Sequence, residues 1–247
     1  MIDNMQFLIL AALATLITLS IHEFAHALAA YKLGDNTAKY AGRLTINPLK
    51  HLDPIGALCM VFFHFGWAKP VPINPRNFKN PKKGFAISAF AGPLANLIIA
   101  FFTAFLYLLT FALLKDVNFN NNFSFHLAQN FLDFLFILHS INVGLAIFNL
   151  IPIPPLDGSR ILNVILPPKT YFKIMKYERT IYFVLIGWLF LGYIVSDFLL
   201  RIPIIASTPI LRFIAKFFSL KDILSTVFSF ISGLMIDFWS LIPFLNI

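Results

Sequence analysis

Between positions 20 and 30 the chain reads Ser-Ile-His-Glu-Phe-Ala-His-Ala-Leu-Ala-Ala, which sets His22, Glu23 and His26 in H-E-x-x-H spacing inside an apolar run that begins at Met5. Residues four apart lie one above the other on a helix face, so His22 and His26 can offer two imidazole nitrogens to one metal ion. Zn2+ suits that pair: with one more protein ligand, a tetrahedral ion keeps a fourth position for water, whose pKa it lowers to about 7. Glu23, about 100° round the helix from His22, is placed to take a proton from that water. The plain alternative is an accidental match, with two histidines packed in a bundle and Glu23 paired to a cation. Ionisable residues inside a membrane span are costly, and three of them within about one helical turn point to function instead.

The 247 residues are 59% hydrophobic and only 12% charged, with a mean hydropathy of +0.80. That apolar content exceeds what a soluble core needs and belongs to an integral membrane protein. The net charge of +8 fits basic loops between lipid-facing helices. Nucleic-acid binding is excluded as its explanation, because the Lys and Arg residues sit in short loops and not on a separate polar domain. The N-terminus, Met1-Ile2-Asp3-Asn4, lacks the basic region of a cleavable signal peptide, and none is expected. The single cysteine, Cys59, rules out an internal disulfide and a thiolate zinc cage, so the third ligand must be His, Asp or Glu.

A spanning helix needs about 20 apolar residues. Runs at 5–31, 85–114, 128–151 and about 181–200 meet that need, and a weaker pair, 203–218 and 223–246, closes the chain. The expected fold is an all-α polytopic membrane protein, a bundle of about five to six transmembrane helices. A small membrane-associated β-hairpin or sheet is expected from 39–46 and 67–75, flanking a re-entrant segment at 54–65 that is too short to cross. Pro70, Pro72 and Pro75 confine the second strand to an edge. Small residues opening the second span (Ala86, Ser88, Ala89, Ala91, Gly92, Ala95) are matched by Ala25, Ala27, Ala29 and Ala30 of the first, so the two backbones can approach closely. Gly92-Pro93 predicts a kink and Asn96 an interhelical hydrogen bond. One membrane-embedded domain, 1–247, is expected, with a catalytic core at about 5–165 and C-terminal segments at about 180–246.

Cations set the orientation. The stretch 32–83 carries Lys32, Lys39, Arg43, Lys50, Lys69, Arg76, Lys79, Lys82 and Lys83, and 160–179 carries Arg160, Lys169, Lys173, Lys176 and Arg179, against Lys115 alone in the opposite loop. Both basic stretches are therefore expected in the cytoplasm, with the N-terminus outside and the metal near the cytoplasmic leaflet. Candidates for the third ligand are His51, Asp53, His64, His139 and Asp157. Asp157 is best placed: its helix arrives at the cytoplasmic side, breaks at Pro152, Pro154 and Pro155, and presents the carboxylate on an Asp-Gly turn at the depth of His26.

The sequence resembles the site-2 protease family of intramembrane zinc metalloproteases. Four motifs carry the resemblance, in the family's order: His22-Glu23-Phe24-Ala25-His26; Gly42 to Pro54, reading Gly-Arg-Leu-Thr-Ile-Asn-Pro-Leu-Lys-His-Leu-Asp-Pro; Gly92-Pro93-Leu94-Ala95-Asn96; and Asn149 to Gly158, reading Asn-Leu-Ile-Pro-Ile-Pro-Pro-Leu-Asp-Gly. It implies one Zn2+ per chain on His22, His26 and Asp157, with Glu23 as catalytic acid/base. It implies that Asn149 lies beside the metal, to bind substrate backbone or stabilise the oxyanion, and that Asn96 packs core helices and lines the site. Many family members carry a PDZ or CBS domain, and neither is expected here, which leaves a regulatory partner open.

The implied activity is hydrolysis of peptide bonds within or near transmembrane segments of membrane-protein substrates. Such a segment must unwind before water can attack, and an edge strand at 69–74, with Val71 and Ile73, is expected to hold the extended stretch by β-addition. Two alternatives remain: a zinc-binding or zinc-transport protein that uses the same ligands but gives Glu23 no chemical duty, and a protease for prenylated peptides, which would need a downstream Glu ligand on a helix that this sequence lacks. Usage rich in Lys, Asn, Ile and Phe points to a prokaryotic cell (inner) membrane.

Overall fold

The computed structural model describes residues 4–56, 68–119, 121–193 and 220–245. Among the described residues three helices are long and apolar enough to cross a membrane: α1 (Asn4–Lys32), α4 (Pro81–Leu114) and α5 (Asn122–Leu150). Short helices α2 (Thr37–Tyr40) and α3 (Pro48–His51) lie between α1 and α4, and α6 (Asp157–Ile165), α7 (Pro168–Met175), α8 (Glu178–Tyr193) and α9 (Leu220–Ser240) follow α5. This is the all-α membrane class that the composition predicts. The span expected at 181–200 is described only to residue 193, and 203–218 lies outside the described residues.

Helix starts are written into the sequence as Asn-Pro pairs. Asn47-Pro48, Asn74-Pro75 and Asn80-Pro81 each open a helix. In each, the Asn side chain accepts a backbone N–H of the first turn (Leu49, Arg76 and Lys83) and the Pro stands where no intrahelical N–H is needed. Asn121 caps α5 in the same way through the Ser124 N–H. α5 ends at Leu150, just before the prolines of 152–155, as chain chemistry requires.

α4 is the axis of the bundle. It buries a face of small residues, including Ala86, Ser88, Ala89, Gly92, Asn96, Ala100 and Ala104, and packs against α1, α5, α6 and α9. Polar side chains tie the helices in the apolar interior. The Asn142 amide donates to the Thr18 hydroxyl at 2.8 Å, joining α5 to α1. His139 Nδ1 donates to the Ala100 carbonyl at 2.9 Å, and its Nε2 accepts from the Ser232 hydroxyl at 2.7 Å, so one imidazole links α5, α4 and α9. Trp239 Nε1 adds a bond from α9 to the Phe101 carbonyl. Outward-facing Ile98, Phe102, Phe131 and Phe136 leave an apolar surface suited to lipid.

The expected β-hairpin does not form among the described residues. Residues 37–40 are helical, Gly42 turns the chain with φ of 66°, and pairing is limited to one antiparallel bridge between Leu52 and Ala68. The physical reason is local: Pro70 and Pro72 have no N–H to give a ladder. Residues 69–74 run extended as a strap held by side chains. Most of the proposed re-entrant stretch, 57–65, lies outside the described residues. Asp157-Gly158 is also not a free turn, since Asp157 is the first residue of α6.

Candidate metal centre

α1 delivers His22 and His26 to one face, both buried, as the i, i+4 spacing dictates. Their Nε2 atoms lie 3.0 Å apart, and Asp157 Oδ2 lies 3.3 Å from the first and 3.2 Å from the second. The edge of a tetrahedron built on metal–ligand bonds of about 2.0–2.1 Å is about 3.3 Å, so the spacing of these three atoms fits three corners of a tetrahedral zinc site. Among the described residues they form the one His/Cys/Asp/Glu group able to hold a metal. Asp157 Oδ2 is buried and has no other hydrogen-bond partner, which leaves its lone pairs for an ion.

The outer nitrogens are held from α4. His26 Nδ1 donates to the Ser88 carbonyl at 2.7 Å, so the hydrogen sits on Nδ1 and the Nε2 lone pair faces the centre. The Asn96 amide lies 3.1 Å from His22 Nδ1, and its own Oδ1 is buried without a partner. Turning that amide over, which preserves its shape, sets Oδ1 to accept the Nδ1 hydrogen and leaves His22 Nε2 free to bind metal. Two glycines make the approach possible. A Cβ at Gly92 would lie 2.4 Å from His26 Nε2 and 2.7 Å from His22 Cε1, and one at Gly158 would lie 2.3 Å from the Leu150 carbonyl oxygen. Gly92 thus lets α4 lie against the imidazoles, and Gly158 lets α6 start beneath the end of α5.

The centre opens on a cavity of about 660 Å3. Its walls include Glu23, Asn149, Val71, Ile73 and Arg160, with apolar side chains from Leu145, Phe148, Leu185 and Ile186. Glu23 accepts the Val71 N–H at 2.9 Å through Oε2. Asn149 donates to the Leu145 carbonyl of its own helix. Asn96 stands behind His22, outside the lining. The remaining ligand candidates are elsewhere: His51 bonds the Thr45 carbonyl, Asp53 accepts the Ile55 and Gly56 N–H groups at the cavity wall, His139 ties helices together, and His64 lies outside the described residues.

Arg160 carries no motif signal and is seen only in three dimensions. One turn after Asp157, it lines the cavity, pairs with Glu178 and stacks over Phe85, joining α6 to the start of α8. Asp35 and Arg43, both buried, bind the backbone of the 69–74 strap.

Residues 10–192 match peptidase family M50, the site-2 protease family. YwhC of Bacillus subtilis (strain 168), a candidate zinc metalloprotease by its name, is 44% identical over 163 residues, covering 66% of this chain and 72% of that protein. Rip2 of Mycolicibacterium smegmatis, named in the same way, is 30% identical over 167 residues, covering 66% of this chain and 59% of its own length. No solved structure gives a significant match.

Proposed function

The chain belongs to peptidase family M50 and is a membrane-embedded zinc metalloprotease, and we propose that it cuts peptide bonds within or next to transmembrane segments of membrane-protein substrates, from the cytoplasmic side of a prokaryotic cell membrane. The observation that carries this reading is the convergence of His22, His26 and Asp157 at the base of a cavity that also holds Glu23 and is walled by apolar side chains. The cytoplasmic assignment is supported by the cation-rich stretches at 32–83 and 160–179.

His22, His26 and Asp157 would hold a zinc ion, which would supply Lewis acidity to the scissile carbonyl and to the attacking water. Glu23, buried beside the ligands but not among them, takes the proton from the attacking water and returns it to the leaving amine. The Asn149 amide, on the cavity wall, is free to turn from its own helix and donate to a substrate carbonyl oxygen. The strap at 69–74 receives the unwound stretch of substrate as an added strand. Its Val71 N–H sits on Glu23, so a peptide laid along it passes the base. The apolar lining takes the side chains of a membrane segment.

The test is cleavage of a tagged single-span membrane protein by the purified chain, with zinc content read in parallel for wild type, Glu23→Gln and a chelated sample. We expect Glu23→Gln to keep one zinc per chain and lose cleavage by about 10²–10⁴-fold, with chelation abolishing it. Zinc at one per chain with no Glu23-dependent cleavage over several substrates would overturn the protease reading in favour of zinc binding or transport.

A further inference from the structure

We infer that Asp35 is a positioning residue that decides which peptide bond of a bound substrate meets Glu23, by fixing the strap of residues 69–74 along its own length through the Asn74 N–H. The inference rests on the proposed use of the strap to hold substrate.

Asp35 is fully buried, three residues past the end of α1, in a turn where Gly34 adopts φ of 106°. Its Oδ1 accepts the Thr37 N–H at 3.0 Å, the Thr37 hydroxyl at 2.5 Å and the Asn77 amide at 2.7 Å. Its Oδ2 accepts the Asn74 N–H at 2.7 Å. Burial alone would raise its pKa, yet these bonds reverse the effect and hold the carboxyl below its ordinary value.

The strap has few other restraints. At its start the Lys69 N–H donates to the His51 carbonyl at 2.8 Å and the Lys69 carbonyl accepts from the Arg43 guanidinium. Between the ends, Val71 touches Glu23, and Pro70 and Pro72 can donate nothing. Beyond the start pinned at Lys69 no ladder sets register, so a slide of the far half by two residues, about 7 Å, would keep the same faces in place while moving its backbone groups relative to Glu23. Asp35 blocks that slide. It grips a backbone group, so the strap's side chains do not enter. It also follows the helix that carries Glu23 by three residues, in a turn whose Asp35 N–H donates back to the Ala30 carbonyl at 2.9 Å, so base and anchor are held in fixed relation. A substrate strand paired with the strap inherits that register.

Loop stability alone would change folding and zinc retention, but not the position of the cut. Asp35→Asn keeps an oxygen for Thr37 and Asn77 while turning an NH2 toward the Asn74 N–H, so the strap bond is selectively lost. Asn74→Pro removes the same N–H with Asp35 intact. With one zinc per chain, wild type is expected to give one dominant product by intact mass. Both variants are expected to spread cleavage over neighbouring bonds and to raise KM about tenfold or more with a smaller change in kcat, and the double variant should be no worse than either single. Should Asp35→Asn fail to retain zinc, Asn74→Pro decides the matter by comparison with Asn74→Ala, which loses only the side-chain cap on the Arg76 N–H and keeps the bond to Asp35.

Ile73→Pro, which deletes another strap N–H, separates the two claims. Cleavage impaired by Ile73→Pro but directed to the wild-type bond, at wild-type KM, by Asp35→Asn or Asn74→Pro would overturn the role of Asp35 and leave strand addition standing. If Ile73→Pro also cleaved as wild type, strand addition itself would fail and the role of Asp35 with it.

Discussion

Gly92 of α4 faces His26 of α1 so closely that a β-carbon on the glycine would lie 2.4 Å from the Nε2 that completes the metal triangle. Nothing flexible stands between them, because His26 is held from its other nitrogen by the Ser88 carbonyl. Gly92→Ala must therefore displace an imidazole or push the two helices apart. Zinc affinity is expected to fall about 10–100-fold, the scale seen when groups that orient metal ligands are disturbed. Zinc titration in detergent, with helix content followed by circular dichroism, checks this; unchanged affinity would mean that the helices do not meet at Gly92.

Gly158 meets a harder obstacle, since the atoms in its way are the backbone carbonyls of Leu150 and Ile151. Gly158→Ala is expected to lower stability by about 1–3 kcal/mol and to weaken zinc binding together with it, because Asp157 moves with α6. Thermal unfolding with and without zinc reads both. A variant less stable without zinc but with normal affinity would uncouple Gly158 from the ligand beside it.

His139 has the opposite profile. It is buried among α4, α5 and α9 and bonds Ala100 and Ser232, away from the metal triangle. Ser232→Ala leaves Nε2 without its donor and is expected to cost about 0.6–2 kcal/mol in the membrane while zinc content and cleavage at permissive temperature stay unchanged. Loss of zinc in this variant would assign His139 to the site.

Asp35 gives the pH prediction. Its native pKa lies below the ordinary carboxyl value because of bonds from Thr37, Asn77 and Asn74. A depressed native pKa means that the unfolded state binds the proton first on acidification. The stabilisation is thus complete above about pH 4 and is lost as pH falls through the lower native value. Measured from pH 6 to pH 3, the stability advantage of wild type over Asp35→Asn should stay level down to about 4 and shrink below it. An advantage that vanished well above pH 5 would contradict the geometry.

The sequence determined whatever depends on neighbours along the chain. Helical periodicity puts His22 and His26 on one face. Apolar length identifies α1, α4 and α5. Asn-Pro pairs mark where helices begin, and prolines 152–155 mark where α5 must end. Asp157 was the best of five ligand candidates by its place after those prolines, and its convergence with the histidines follows the depth argument.

Tertiary structure decided what depends on surfaces distant in sequence. That Asn96 backs His22 without lining the cavity, that Ser88 orients His26 through a carbonyl, and that Gly92 is small because imidazoles press on it are facts of how α4 crosses α1. The strand expectation at 39–46 failed because alternation over so short a stretch is weaker than the local preference of 37–40 for a helical turn, closed by Gly42 at positive φ. The strap kept its extended form, but its position comes from Arg43, Glu23 and Asp35, whose partners are 26, 48 and 39 residues away. Hydrogen bonds from side chain to backbone at such separations leave no periodic trace in a sequence, so only the packed helices could assign them.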